Sequence, residues 1–475
     1  MIVNNYLLVK QLTGLALLID LANYTLYFNV YFGQGFEVKK WWNNKIILII
    51  IYIIWLLSSS FMIINVGGFL PILLLYLICR HYFVNGRWRS LLRGGGAPGL
   101  MSHFILFYLL LYELSFIIDK AFDLSSYVTM MLRVDFALIM LCAGVYKALS
   151  GYFNMNGMEY GMVNPAWSYW HKYLKLISSD NKFWHIQNLS ASIGEIFIGI
   201  SLLIPSLTWL GALICIFSFL YLIPILRLGR LAFLMVIIPL LFLNDFGLYE
   251  LSESKFIFND KLNYILLESF PVFAYGFCFL LPIIKIMQYY NLFLDRRFPK
   301  SLQLIFDKIA LFYPIIIWRV FTLDVINFFI RISQIDKTTN IEYPIINENT
   351  TYNYCNWDNI KLKFRFLQVT ESITIVTIFN FLKYYPSKKD IFKKKLLQYT
   401  STLPINFKRD YRFTYISINK KNGVFTFSPT GYFDVDLING KIVETIFGNN
   451  DKIINRSFKS PLRESIGFGS YKKRK

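Results

Sequence analysis

Residues 46–64, IILIIIYIIWLLSSSFMII, run from isoleucine to isoleucine without one charged side chain. A helix of about 20 apolar residues is what a bilayer's hydrocarbon core requires, and no soluble domain needs such a stretch. Similar runs recur on both sides of it. Spans are expected at 6–32, 45–64, 66–83, 100–118, 131–150, 186–206, 207–224, 229–244, 263–288 and 307–330. The sequence therefore predicts an all-α polytopic transmembrane helical bundle of about nine or ten spans over residues 1–330, an integral, multi-pass membrane protein whose first partner is the lipid bilayer.

Bulk composition agrees. The 475 residues are 55% hydrophobic and 16% charged, with a mean hydropathy of +0.45, whereas soluble domains carry about a quarter charged residues. Phe 45 and Tyr 32 are high, a bias that AT-rich coding would produce by itself. Five cysteines form no CxxC pair, and four of them lie in apolar runs. Neither a disulfide framework nor a zinc site is expected. Four histidines without ligand spacing give no metal motif.

After Arg331 the texture changes. From there to the end, 25 Lys and Arg stand against 12 Asp and Glu, which is +13 of the chain's +20. Residues 331–475 read as a basic extramembrane α+β domain. Its first segment, ISQIDKTTNIEYPIINENTTYNYCNWDN, reads as a polar loop, and 370–399 as a helix ending in the basic run SKKDIFKKK. Alternation in YRFTYISIN-KKNG-VFTFS-PTG-YFDVDLI-NG-KIVETIF predicts a four-stranded antiparallel β-meander, with Asn422-Gly423 and Asn439-Gly440 as hairpin turns. The basic excess suits anionic lipid or other membrane proteins as partners; with no nucleic-acid motif beside it, no nucleic acid is expected.

Under a ten-span reading, Lys39-Lys40, Arg80–Arg93, Arg227-Arg230 and Arg296-Arg297 share one side, and the acidic loop NDFGLYELSESKFIFND (244–260) falls opposite. The positive-inside rule then puts the N-terminus and the C-terminal domain outside the cytoplasm, with the Lys147 end of its span facing the cytoplasm.

Chemistry-bearing residues are few inside the runs. Lys147 ends the fifth span beside Ala143, Gly144 and Ala148, small residues that let another helix approach. Its bland reading is a stem that snorkels to water. On the next span His185, Asn188, Ser192, Glu195 and Gly199 are spaced three, four, three and four apart, one stripe of a helix. That stripe is expected to face protein and meet Lys147, either as a polar pocket wall or as a structural ion pair. His103 opens the fourth span after RGGGAPGLMS. Asp135 is expected to sit near the interface with Arg133, and His171 at the interface after Trp170.

AGVYKAL (143–149) resembles the AGxxK span-end motif of the vitamin K-dependent gamma-carboxylase family, which shares a membrane domain with bacterial horizontally transferred transmembrane (HTTM) proteins. MEYGMVNPAWSYWH (158–171) resembles lipase maturation factors, where an acidic-aromatic pair leads into Asn-Pro and a histidine. FWHIQNLSASIGEIFIGISLLIP follows where both groups have a partly polar span. The resemblance covers residues 100–205. It implies Lys147 as a catalytic base, His103 as a further catalytic candidate, and a quinone as cofactor or substrate; the polar stripe adds Glu195 to the catalytic candidates. A maturation factor acting on a lipid or a membrane-delivered polypeptide is a related expectation. The chain is much shorter than the carboxylases and has no counterpart to their luminal substrate-binding region. The other class of function left open is a non-catalytic scaffold subunit of a larger membrane complex.

Overall fold

The computed structural model describes residues 5–26, 44–81, 97–118, 123–154, 156–243, 260–294, 299, 301–302, 304–305, 309, 313, 326–336, 338–346, 375–380, 382, 389–401, 403 and 409–446. The fold is mostly helical, with a small antiparallel sheet at its C-terminal end. Its helices are α1 (Asn5–Leu26), α2 (Lys45–Ile63), α3 (Phe69–Cys79), α4 (Ala97–Ile118), α5 (Asp123–Leu149), α6 (Met158–Val163), α7 (His171–Leu174), α8 (Lys182–Leu203), α9 (Thr208–Leu222), α10 (Arg230–Ile237), α11 (Asp260–Leu294) and α12 (Lys389–Thr400). Among the described residues, seven helices are long and apolar enough to cross a membrane. Two of the expected spans are short. The 11 residues of α3 extend about 16 Å at 1.5 Å per residue, and α10 passes into a 3₁₀ turn, Ile238–Phe242, at Pro239. Of the tenth expected span, 307–330, most lies outside the described residues, as do Lys39-Lys40, residues 82–93, Arg296-Arg297, the acidic loop up to Asn259 and the basic C-terminal tail.

Side-chain contacts fix how the helices alternate. Tyr52 and Thr25 share a 2.7 Å hydrogen bond, while Gly14 packs on Met62 and Ser59, so α1 and α2 are antiparallel. Tyr76 stacks on His103, and Gly68 lies beside Glu113, so α3 and α4 are too. Tyr112 with Thr129 and Tyr108 with Asp135 reverse α5 against α4. Ser192 reaches Gly144, and Gly199 abuts Leu141 and Ala137, which reverses α8 against α5. Tyr275 on Tyr127 and Lys285 on Asp135 make α11 parallel to α5.

The C-terminal strands are β1 (Phe328–Asp336), β2 (Glu342–Ile346), β3 (Arg409–Lys421), β4 (Val424–Asp436) and β5 (Lys441–Ile446), in the spatial order β2-β1-β3-β4-β5. Five strands replace the expected four, and they differ in origin. The segment read as a polar loop begins with the β1–β2 hairpin, turned by Asp336, whose carboxylate accepts from Thr338 and Thr339. Those bonds hold the Asp336 carboxyl down to about 2. Pro429-Thr430-Gly431 is not a turn. β4 runs straight through it, and a register shift between Tyr415 and Ile416 of β3 absorbs the irregularity. Asn422-Gly423 does form the β3–β4 turn, both residues at positive φ. The run KDIFKKK starts α12 instead of ending a helix, because Phe392, Leu396 and Tyr399 must face the sheet; there Phe392 packs edge-on to Phe433 and Tyr399 on Phe413.

The sheet lies at the Lys147 end of the bundle. Asn164 donates to the carbonyls of Ile326 and Phe328, both at 2.7 Å, and the backbone of Ser179 donates to Gly423 at 2.8 Å. This corrects the ten-span orientation, which separated Lys147 from the C-terminal domain. Among the described residues, nine of the helices alternate in direction, and the ninth, α11, runs towards the sheet end. The basic Arg227 and Arg230 lie at this end as well, the Arg227 backbone N–H donating to the Trp167 carbonyl at 2.7 Å.

Candidate functional site

The seam between α5 and α8 is set by glycine. A Cβ at Gly144 would stand 2.6 Å from the Ser192 carbonyl oxygen, and one at Gly199 would stand 2.7 Å from the Leu141 nitrogen. Backbones this close let Ser192 Oγ donate to the Gly144 carbonyl at 2.9 Å. One turn beyond, Lys147 Nζ donates to Glu195 Oε1. Lys147 therefore does not snorkel; it is 5% exposed and Glu195 9%.

Beside this pair lies a cavity of about 110 Å³ lined by Lys147 and Glu195 together with Met158, Gln187, Ser190, Ala191 and Gly194, and by Ser218, Phe219 and Tyr221 of α9. Ser190 and Tyr221 are exposed, so the hollow opens sideways between α8 and α9. Glu195 Oε2 has no hydrogen-bond partner among the described residues. The arrangement offers an ammonium donor, a buried carboxylate paired to it, and an apolar wall.

The other expected site residues are placed differently. His103 is fully buried in α4, its ring stacked at 4.7 Å on Tyr76, and does not line this hollow. Both of its ring nitrogens lack partners among the described residues. His185 is exposed in the first turn of α8, and so leaves the stripe. Asn188 and Ser192 are buried in it but serve the packing: Ser192 spans to α5, and Asn188 turns to α6. Asp135 is not interfacial. It is fully buried, paired to Lys285 at 2.5 Å, and accepts from the hydroxyls of Tyr108 at 2.9 Å and of Tyr313.

A second polar node went unread in the sequence. Glu159 is 0% exposed, yet its Oε2 accepts from Asn188 Nδ2 at 2.7 Å and from the Gly157 backbone at 3.1 Å. Its Oε1 accepts from Lys420 Nζ of β3 at 2.5 Å. Asn188 Oδ1 in turn accepts from the backbone of Met158, which lines the hollow. The stretch 158–171 is thus the seat of the C-terminal sheet. The carboxylate in MEYG, far from any cation in sequence, was the available signal.

His171 sits at the same end, buried, with Nδ1 on the Ser168 carbonyl at 3.2 Å. Burial first, and the nearby Arg227, Lys175 and Lys172 after it, pull its pKa from 6.5 to about 4, against the opposing Ser168 contact. The folded chain thus binds this proton less readily than the unfolded one. Its contribution to stability is complete above pH 6.5 and is lost progressively as pH falls through about 4. The melting temperature in detergent is expected to drop between pH 7 and pH 4.5, and His171→Gln should flatten part of that drop. An unchanged slope in the variant would remove His171 as its source.

Among the described residues no cluster of three or more His, Cys, Asp or Glu could hold a metal ion. Compared with protein-family models, curated proteins and solved structures, the chain matches none.

Proposed function

We propose that this chain is a multi-pass membrane protein with an acid–base site, Lys147 and Glu195, open sideways to the bilayer and acting on an amphiphile that enters between α8 and α9. One observation carries the reading: a buried ammonium–carboxylate pair lines a hollow and leaves one carboxylate oxygen unpartnered. Ionisable groups at such depth face protein or a cavity and mark function by default. Seven long apolar helices support insertion. Arg227 and Arg230 at the sheet end favour its facing the cytoplasm, on the side shared by the C-terminal sheet and the Lys147 end.

Lys147 acts as the base, the role its resemblance to the carboxylases implies, with Glu195 as the hydrogen-bond partner that positions it. A lipid or a quinone is the substrate class this reading allows.

A structural reading has its own support. Lys10–Glu113 at 2.5 Å, Arg230–Asp20 and Lys285–Asp135 are buried ion pairs of the same kind, none lining the hollow, so the bundle uses such pairs to align helices. In a scaffold subunit Lys147–Glu195 would do only that.

The double variant Lys147→Met/Glu195→Leu separates the two. Replacing a whole buried pair by apolar side chains costs little, about 1 kcal/mol or less, or even stabilises. The variant should therefore stay folded in detergent melts. In vesicles reconstituted with native lipid extract, mass spectrometry should find a lipid changed by the wild type and untouched by the variant. Lipid turnover retained in the folded variant would leave only the scaffold role.

A further inference from the structure

At the sheet end of the bundle, the stretch 170–182 that leads into α8 turns large apolar side chains outward. Trp170, Tyr173 and Leu176 are 51%, 67% and 77% exposed, whereas His171 and Ser179 of the same stretch are buried. Scattered exposed apolar residues are ordinary, but a contiguous group marks a contact surface. Here the group continues the outward face of a long apolar helix. Trp170 Nε1 donates at 2.9 Å to the carbonyl of Pro224, just past α9, and its ring lies 6.0 Å from that of Tyr173. The last turns of α9 expose Phe217, Leu220 and Tyr221 on the way to Pro224.

Depth follows from length. The 22 residues of α8 extend about 33 Å at 1.5 Å per residue, and a hydrocarbon core is about 30 Å thick. Lys182 is the first of them, so in the bilayer proposed above the stretch before it stands among the head groups. This step rests on the membrane part of that reading and not on the acid–base site.

Charge then selects the lipid. Lys172 and Lys182 are exposed around the apolar group, Lys175 is half-buried beside them, and Asp180 is the one carboxylate of the stretch. The β3–β4 turn brings the exposed Lys421 to the same place, because Ser178 Oγ donates to the Gly423 carbonyl at 3.1 Å. Tryptophan and tyrosine favour the level between hydrocarbon and water, and lysine lays its stem on apolar surface while its ammonium reaches the head groups. Lysine is depleted from protein–protein interfaces, whereas an anionic leaflet attracts it. We infer that residues 170–182, with the β3–β4 turn, form an anchoring surface for anionic phospholipids of the leaflet at the sheet end. The two rings and Leu176 enter the interface, and the lysines pair with the acidic head groups.

The test puts the full chain, with photoreactive p-benzoylphenylalanine replacing Tyr173, into nanodiscs of phosphatidylcholine alone or mixed with phosphatidylglycerol. Mass spectrometry should find lipid adducts in both, and in the mixed discs phosphatidylglycerol should exceed its bulk share about fivefold, the scale of one lysine near a charged leaflet. The same probe replacing Ile341, exposed beyond the far end of β1, should give none. Lys172→Gln/Lys182→Gln/Lys421→Gln should return the adducts to the bulk ratio with an unchanged melting temperature, since all three side chains are exposed. The corresponding triple arginine variant should keep the enrichment.

Adducts at the bulk ratio in the wild type, or enrichment that survives the glutamine variant, would overturn the inference. So would equal lipid labelling from position 341, or cross-links from position 173 to a second copy of the chain in place of lipid. A chain that does not enter phosphatidylcholine discs would sink the membrane reading together with this one. A chain that enters them and shows no anionic preference would sink this one alone.

Discussion

Lys420→Ala is expected to release the sheet from the helical bundle. Glu159 is wholly buried, and Lys420, 261 positions away in sequence, is its cation. Asn188 and the Gly157 backbone satisfy the other carboxylate oxygen but carry no full charge. Removing one partner of a buried ion pair leaves an uncompensated charge and costs about 3–5 kcal/mol, a large share of a typical domain's stability. The loss should appear as a lower melting temperature and as faster hydrogen exchange at Ser179, whose N–H is held by Gly423. Phe425, wedged edge-on against Trp184 at 5.7 Å, should loosen with it. Glu159→Gln/Lys420→Met removes both charges and should recover most of the loss. Wild-type exchange at Ser179 in Lys420→Ala would mean that the hairpin tip, not the ion pair, seats the sheet.

Much of this arrangement was legible in residue order, and the gaps have physical causes. The apolar runs gave the helices because a continuous run of that length has few other solutions. The stripe on α8 and the small residues before Lys147 gave the Lys147–Glu195 contact, since helical periodicity fixes which side chains share a face. His185 fails for a local reason: Asn181 caps α8, accepting from the Phe183 backbone at 2.9 Å, so His185 lies in the first turn, beyond the packed seam. The β1–β2 hairpin was missed because Phe328, Phe329 and Ile330 continue an apolar run and are all fully buried, with no alternation to betray a strand. Long-range partners were out of reach altogether. Nothing near Asp135 or Glu159 in sequence announces Lys285 or Lys420, because an ion pair between distant segments depends on the fold that joins them.

That dependence also explains why orientation was misread. Charge bias assigns loops to faces only after the crossings are counted, and the ten-span count set the C-terminal domain opposite the Lys147 end. The Asn164 bonds to Ile326 and Phe328 override the count because they are contacts and not statistics.

The most damaging small change is expected at Gly144. Gly144→Ala adds one carbon, and the atoms it meets are the Ser192 carbonyl oxygen at 2.6 Å and the Ile196 nitrogen at 2.7 Å. Both belong to a helix backbone, so no rotamer relieves the clash; α5 and α8 must part. Parting them stretches the Ser192–Gly144 bond and withdraws Lys147 from Glu195, one turn along the same seam. Overpacking of this kind costs about 1–3 kcal/mol, and with the strained ion pair the upper end is expected despite alanine's better helix propensity. Gly194→Ala, in the interior of α8, is the control: open space around the new carbon, and an expected gain of about 0.5–1 kcal/mol. Unfolding in graded SDS reads both. A Gly144→Ala protein as stable as the control would mean the two helices do not touch where Gly144 lies, and an acid–base pair built across that contact would have nothing to hold it together.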